Sequence, residues 1–451
     1  MKIVKKIRNT LFFVKKYFIF CKEILYFYLK IFYYKLLMIN DNNCNQFSSL
    51  SYELTKLLNT YTIKENGIYF TPADIIKICI DKIKYFEKEY NITINNILEP
   101  CCGSGEFIKS IDKHFIDTTI YGIENNNDIY NKIKNIELKN NKLILENTNF
   151  FHKTTNNKYD LIIGNPPYYV VKKNTINDKY FKYFDGRPNI FILFIIDCLK
   201  SLNKGGILCF VLPNSFMNCL YYDKTRKYIK NNYRILDIIF FKDNKFLNTK
   251  QGVFIMIVQN ANSNKNSNEY ILNINEYTIF NEKNKIKKLK ELYENSINLN
   301  KLKFSVNVGT IIWNEHKNIL SDDENKTLLI YNGYLKNNNL SIKKFNNTTK
   351  KNYIDKDGIN EVCLVVNRGY GVGDYHFNYS LIDLNQKYLV ENHLLVIKYI
   401  GNKSTKDEIK DIYNQIIKSF GNDKTKEFIS IYFGNNALNI NELLHILPIY
   451  V

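Results

Sequence analysis

What this sequence lacks narrows its reading first. Its nine cysteines and six histidines contain no Cys-x-x-Cys pair and no His-x₃-His spacing, so no metal site is expected. Cys101 and Cys102 are neighbours and poorly placed to bridge each other. The thiols therefore read as reduced, in an intracellular, cytoplasmic setting. No apolar run reaches the roughly 20 residues that span a bilayer. Residues 1–39 are dense in Phe, Tyr and Ile, but Lys15, Lys16, Lys22, Lys30 and Lys35 break every such run. No small-residue cleavage site follows them, which speaks against a secretory signal. They read as an N-terminal extension outside the functional protein, with a membrane-surface helix and a cryptic signal anchor as competing readings. Internal repeats are absent too. So is the full glycine fingerprint of dinucleotide sites, which argues against NAD.

What is present is ordinary for a large globular chain. Its 451 residues are 45% hydrophobic and 24% charged, enough for two domains. The net charge is +19, of which +8 falls in residues 1–39. The remaining excess favours a nucleic-acid partner, with a solvated basic face as the plain alternative. Asn is abundant along with Lys, Ile, Tyr and Phe, as in AT-rich coding, so Asn runs carry no weight.

The centre of the chain is Asn165-Pro166-Pro167-Tyr168. It follows the apolar run Tyr159–Gly164, read as a buried strand that stops at the prolines. Two prolines fix the backbone and remove two N–H donors. The Asn165 carboxamide oxygen and the Pro166 carbonyl are then placed to accept both protons of one exocyclic amine. Tyr168 offers a flat face for the ring that bears it.

The surrounding pattern alternates strand and helix. Thr71, Pro72 and Asp74 read as N-cap, first position and first turn of a helix, whose N–H groups attract a carboxylate. A strand, Ile94–Pro100, runs through Glu99 into Cys101-Cys102-Gly103-Ser104-Gly105 and a helix, a turn that admits close approach of a ligand. A second strand ends in Glu124, suited to accept from two ribose hydroxyls, and a third leads to Asn149-Phe150, suited to bracket an adenine. All these residues fall at carboxyl ends of strands in a doubly wound, mostly parallel α/β sheet. Val171–Phe184, basic and aromatic with Lys172 and Lys173, reads as a lid. Asn189–Leu202 reads as a helix ending at Lys204-Gly205-Gly206, followed by strands Ile207–Leu212, Ile235–Phe241 and Phe254–Val258. The polar run Gln259–Asn268 marks a domain boundary. Beyond it Leu328–Tyr331, Val362–Val366 and Tyr388–Ile400 read as irregular β segments, with helices near 405–419 and 440–446.

Taken together, Gly67–Pro72, Ile97–Ile108, Glu124, Asn149-Phe150, Asp160–Tyr168, Asn189–Phe194 and Lys204–Phe216 resemble the γ-type, TaqI-like DNA adenine-N6 methyltransferases. Val308–Lys317, Leu329-Ile330-Tyr331 and Asn367–Gly371 resemble that family's target-recognition region. The resemblance implies a Rossmann-like class I methyltransferase domain over 40–260 and a mixed α+β target-recognition domain over 261–451. It implies S-adenosylmethionine as cofactor and N6 of a flipped-out adenine in duplex DNA as target. Thr71 would lie by the methionine carboxylate, and Glu99, Pro100, Cys101, Gly103 and Gly105 by its amino group. Glu124 would hold the ribose, and Asn149, Phe150 and Phe194 would complete the cofactor site. At 149 the family usually has Asp. Phe246 matches the aromatic that packs on the extruded base, with Phe241 as a competitor, and Arg368 and Tyr370 are candidate DNA contacts. A monomer is expected, with a cognate restriction endonuclease left open as a partner. The same amine grip also serves enzymes that methylate RNA or a release-factor glutamine, and these stay as alternatives.

Overall fold

The computed structural model describes residues 46–152, 157–241, 246–247, 249, 251–261, 269–345, 349–368, 376–402, 405–433 and 438–451. The chain packs as two compact units, one of residues 1–167 with 244–250, the other of 168–243 with 251–451.

In the first unit come helices α1 (Ser49–Leu57), α2 (Thr60–Asn66) and α3 (Ala73–Glu89), then β1 (Asn96–Glu99), α4 (Glu106–His114), β2 (Thr119–Ile123), α5 (Asn127–Ile133), β3 (Lys142–Glu146) and β4 (Tyr159–Gly164). The strands lie in the order β3-β2-β1-β4. β1 runs parallel to both neighbours, with Glu99 opposite Gly122 and Leu98 opposite Ile162. β3 runs parallel to β2, with Glu146 opposite Ile123. Parallel strands buried on both faces need continuous apolar runs, and Ile97-Leu98 and Leu161-Ile162-Ile163 are almost fully buried. α3 buries Ile76, Cys79, Ile80 and Ile83 at helical spacing and packs against α4.

In the second unit, α6 (Ile190–Lys200), β5 (Leu202–Pro213), α7 (Asp223–Asn232), β6 (Arg234–Phe240) and β7 (Val253–Gln259) come first. β7 lies between β5 and β6 and is antiparallel to both. Orders 3-2-1-4 and 5-7-6, with β7 alone reversed against its neighbours, are those of the doubly wound class I methyltransferase fold, as expected. One boundary moves. The α6 helix stops at Lys200, not at Lys204-Gly205-Gly206, and those three residues belong to β5. The Gly205 N–H donates to the Asn260 carbonyl at 2.7 Å, and the Asn260 amide holds the Leu202 and Asn203 carbonyls. Gly205 takes a φ of +85° there, so its glycine turns a strand rather than ending a helix.

The rest of the second unit is more regular than its sequence suggests. Hairpin β8 (Ile271–Ile274) and β9 (Tyr277–Phe280) leads to α8 (Lys283–Tyr293) and β10 (Phe304–Val308). Short strands follow, β11 (Leu320–Ser321), β12 (Thr327–Ile330), β13 (Leu335–Lys336), β14 (Asn339–Leu340) and β15 (Tyr353–Ile354). Then come β16 (Cys363–Asn367), β17 (Tyr379–Ile382), β18 (Tyr388–Val390), β19 (Leu394–Tyr399), α9 (Lys406–Phe420) and α10 (Asp423–Tyr432). Two four-stranded sheets form, in the orders β10-β19-β16-β17 and β11-β15-β12-β18. Leu364, Val366, Leu395 and Ile397 face helices α9 and α10, while Cys363, Val365, Leu394 and Val396 face Leu328, Ile330 and Tyr388. The stretch Tyr388–Ile400, read as one segment, is two strands broken at Glu391-Asn392-His393. The backbone turns there because the Leu394 N–H bonds back to the Glu391 carbonyl.

A buried polar clasp closes this unit. Arg226 is fully buried and donates to the Phe216 and Cys219 carbonyls at 2.8 Å and to the Thr278 carbonyl. Asn218 and Tyr432 exchange hydrogen bonds between side chain and backbone. Burial pushes the nearby Glu442 carboxyl up to about 7. Such a buried arginine is tolerated because carbonyls take most of its donors.

Gly309 marks the tightest approach of backbones. A Cβ there would stand 2.1 Å from the Glu391 carbonyl oxygen, a contact with main chain that no rotamer change relieves. Gly309→Ala is expected to cost about 3 kcal/mol, at the upper end of overpacking losses. It should appear as a lower urea midpoint for the second unit at unchanged slope.

Candidate active site

The site grows from the ends of β1, β2 and β4. After Glu99 the chain turns through Pro100, Cys101 and Cys102 into Gly103 (φ +51°) and Gly105 (φ +74°), conformations that glycine adopts freely. At Gly105 a Cβ would also lie 2.7 Å from Ile136 Cδ1. The Cys102 N–H donates to the Ile123 carbonyl at 2.9 Å, and the Gly103 N–H donates to Glu124 Oε2 at 2.9 Å. Glu124 Oε1 accepts from the Asn126 N–H at 2.7 Å. Each carboxylate oxygen has capacity for a further donor, an arrangement suited to two vicinal hydroxyls.

A cavity opens beside this turn, lined by Phe70, Thr71, Glu99, Cys101, Gly103, Glu106 and Asn165 among others, none of them cationic. Glu99 is 1% exposed, and its Oε2 has no hydrogen-bond partner. Burial, and then the charges of Glu124 and Glu106, push its carboxyl well above the ordinary range, against a pull from the Ile108 N–H. Burial, and then the charges of Glu99 and Glu124, raise the Cys101 thiol well above its usual value, so it is not a thiolate nucleophile. A buried acid without a partner, set among further acids, is a site for a cation.

Glu106 was not singled out from the sequence. It accepts hydrogen bonds from Ser48 and Ser51, and Ser51 also donates to Ser104 Oγ at 2.8 Å. These serines precede it by more than fifty residues and sit in an unremarkable polar stretch, so no local pattern announces them. The start of α3 also differs from expectation. Pro72, with ψ 146°, is the N-cap, and no side chain caps the helix. Thr71 is therefore one residue outside, buried at 6% exposure in the cavity wall. The Ala73 N–H is taken by the Gln46 carbonyl at 2.7 Å and the Ile75 N–H by Asp74 Oδ1 at 2.9 Å, so that helix end is less open to an anion than its sequence implied.

Asn165 lines the cavity. Its Nδ2 donates to the Tyr69 carbonyl at 3.1 Å, which fixes which way the carboxamide faces, while its backbone bonds to the Cys101 thiol. Pro166 is buried and Pro167 partly so. Tyr168 opens the second unit; its hydroxyl donates to the Val211 carbonyl at 2.8 Å and its ring meets Phe191 edge-on at 5.9 Å. The ring is thus held by its far end.

The remaining expected residues are placed as follows. Asn149 Oδ1 accepts from the Phe151 N–H at 3.0 Å, capping the short 3₁₀ turn Phe150–His152. Phe150 is partly buried beside Phe151. Phe194 is 6% exposed within α6 of the second unit, and Phe246 is 8% exposed. Lys172 is exposed, whereas Lys173 Nζ lies 4.7 Å from the centre of the Phe181 ring. Arg368 Nη1 reaches the Asn392 carbonyl at 3.5 Å, and its own carbonyl accepts from the Leu438 N–H. Tyr370 lies outside the described residues, as do residues 1–45. No group of three His, Cys, Asp or Glu among the described residues is arranged to hold a metal, and no described helix is long and apolar enough to cross a membrane.

Residues 45–247 match the model of the Eco57I restriction-modification methylase. The chain is similar to methyltransferases of the restriction-modification type. It is 27% identical over 396 residues to the type II methyltransferase M.CvrRI of Paramecium bursaria Chlorella virus XZ-6E, covering 85% of this chain and 93% of that one. To the modification methylase CviBIII of Paramecium bursaria Chlorella virus NC1A it is 25% identical over 424 residues, covering 90% and 100%. A third relative, the type II methyltransferase M.HincII of Haemophilus influenzae, is 29% identical over 188 residues, 40% of this methyltransferase and 34% of that one. S-adenosylmethionine is its cofactor, as the sequence resemblance implied. The cavity suits that molecule chemically. It pairs an orphaned buried carboxyl with a cationic ligand and sets a glycine cradle beside an acid for the ribose.

Glu99→Gln separates the two states of the cavity. A carboxyl whose folded pKa is raised withdraws stability as pH climbs above its unfolded value. The ligand-free variant should therefore unfold at a higher temperature than the wild type at pH 8, with the gap shrinking towards pH 5. Its affinity for S-adenosylmethionine should fall about tenfold or more, consistent with about 1.5–3 kcal/mol for a charged hydrogen bond. Thermal unfolding with and without cofactor across that range measures both.

Proposed function

We propose that the chain is a γ-type DNA methyltransferase that transfers a methyl group from S-adenosylmethionine to N6 of an adenine flipped out of duplex DNA. The single observation that supports this most is Asn165. Its amide donates to a backbone carbonyl, so its oxygen is the end presented as an acceptor, within a cavity that suits the cofactor.

In this reading Glu99 takes the amino group of the methionine moiety and Glu124 the ribose hydroxyls. The bound sulfonium supplies an already activated methyl group. Extruding a base costs a few kcal/mol, and stacking on Tyr168 offsets it at about 1–3 kcal/mol. Phe246 supplies a second apolar surface to the base. Asn165 Oδ1 and the Pro166 carbonyl accept the two amine protons and favour a pyramidal nitrogen whose lone pair is free to attack. As the nitrogen–methyl bond would form, the sulfur–methyl bond would break and leave a neutral thioether, and Asn165 Oδ1 and the Pro166 carbonyl would stabilise the positive charge passed to the nitrogen. One amine proton would then pass to water, restoring a neutral methylated amine. Rigid placement by the proline pair supplies the rest. Asn149 holds the cofactor's adenine with Phe150, and because its Oδ1 caps a turn, its amide nitrogen is the part that reaches out. Phe194 closes the cofactor site, and Lys172, Lys173, Arg368 and Tyr370 contact DNA. The methyltransferase domain spans 40–260 and the target-recognition domain 261–451. The protein acts inside the cell, as a monomer, with a cognate restriction endonuclease left open as a partner.

Asn165→Ala should lower methyl transfer to duplex DNA by about 10²- to 10³-fold, the usual loss for one preorganised polar group, with cofactor affinity within a few-fold of wild type. Nucleoside analysis of the wild-type product must show N6-methyladenine. Transfer only to RNA or to a release factor would overturn the assignment.

A further inference from the structure

Glu106 lines the cavity, and the transfer described above makes no use of it. It opens α4, where the free N–H groups of a helix end favour a negative charge. Its side chain is held from α1, more than fifty residues earlier. Leu54 and Leu58 are buried in an apolar cluster with Phe47, Ile63 and Phe70, and Phe70 also stands in the cavity wall. So anchored, α1 presents its first turn. Ser48, the N-cap, accepts from the Ser51 N–H at 3.2 Å and donates to Glu106 Oε1. The Ser51 hydroxyl lies 3.1 Å from the same oxygen and 2.8 Å from Ser104 Oγ.

Two serines on one oxygen leave the other unused. Glu106 Oε2 accepts no hydrogen bond among the described residues, and unlike Glu99 Oε2 it is not sealed from water. The two acids are close enough for the charge of Glu106 to bear on Glu99. The cavity therefore holds two carboxylate oxygens with spare capacity and no cation in its wall. An ammonium brings three N–H donors, and each one left unmade in a buried place is costly. Glu99 Oε2 can take one of them. Resting on the placement of the cofactor in this cavity, we infer that Glu106 is a specificity-determining residue. Its Oε2 takes a second donor of the ammonium on the methionine arm, and Ser48 and Ser51 position it to do so. The sulfonium carries no N–H and has no use for a fixed acceptor.

Calorimetric titration of the full-length protein with three ligands tests this. S-adenosylmethionine and S-adenosylhomocysteine both carry the ammonium, whereas 5′-methylthioadenosine lacks the whole amino-acid arm. Glu106→Gln removes the charge but keeps an acceptor oxygen for the two serines, so the fold is preserved. It should weaken the first two ligands about tenfold, as for a hydrogen bond to a charged group, and leave 5′-methylthioadenosine within about twofold. The variant S48A/S51A should show the same pattern at about threefold, and wild-type affinities there would overturn the positioning role. Equal losses for all three ligands in Glu106→Gln would mean that Glu106 only supports the fold. Unchanged or tighter binding would mean that it faces no cation. Either result overturns the inference, as does a loss confined to S-adenosylmethionine, which would put Glu106 at the sulfur. Binding is measured without DNA, so a wild type that takes up the ligands yet methylates no duplex fails the proposed reaction alone. A wild type that binds none of the three fails the placement of the cofactor, and this inference with it.

Discussion

One electrostatic constraint governs the cavity proposed for the cofactor: Glu99 and Glu106 line it with Glu124 close by, and none of its lining residues is cationic. Folding places Glu99 beyond reach of water with one oxygen unmatched. A buried charge of that kind is expensive, so the empty cavity keeps a proton there. The cost is recovered when a cation arrives, and the binding energy of a positively charged cofactor is therefore prepared in advance by the fold. The serines of the α1 region and the glycine turn serve the same end. They hold Glu106 and Glu124 in place so that the field of the cavity does not relax when it is empty.

Asn165 and Tyr168, the two side chains proposed to hold the amine, are each anchored at one end. The carboxamide of Asn165 is tied by its nitrogen to Tyr69, and the ring of Tyr168 is tied by its hydroxyl to Val211. In each case the bond fixes one end of the side chain. Between them two prolines remove the torsional freedom that would blur the geometry. In the proposed reaction the rate would come from placement, which these anchors would provide.

Much of this was legible in the sequence, for identifiable reasons. Apolar runs stopped by Gly or Pro located β1, β4 and β5, and therefore put Glu99, Gly103 and Asn165 on the rim of a parallel sheet. Three things were not legible. At Thr71 the signature of a cap was present, but Pro72 stayed extended and took the position itself. At Asn149 the sequence showed an amide and not that the Phe151 N–H would claim its oxygen first. Glu106 with Ser48 and Ser51 is a contact between distant segments, which no local pattern encodes.

The Arg226 clasp bears on how such proteins exchange parts. Its guanidinium reads no side chain at Phe216, Cys219 or Thr278, only their main-chain oxygens, so those positions can diverge while the joint persists. A splice that kept Arg226 but dropped the hairpin carrying Thr278 would leave the buried Arg226 Nε without its carbonyl partner and Asp223 without the Thr278 N–H. The transplantable cassette is set by this joint and not by the polar stretch near 260, and a hybrid inherits a sound interior only when α7 travels with the β8–β9 hairpin.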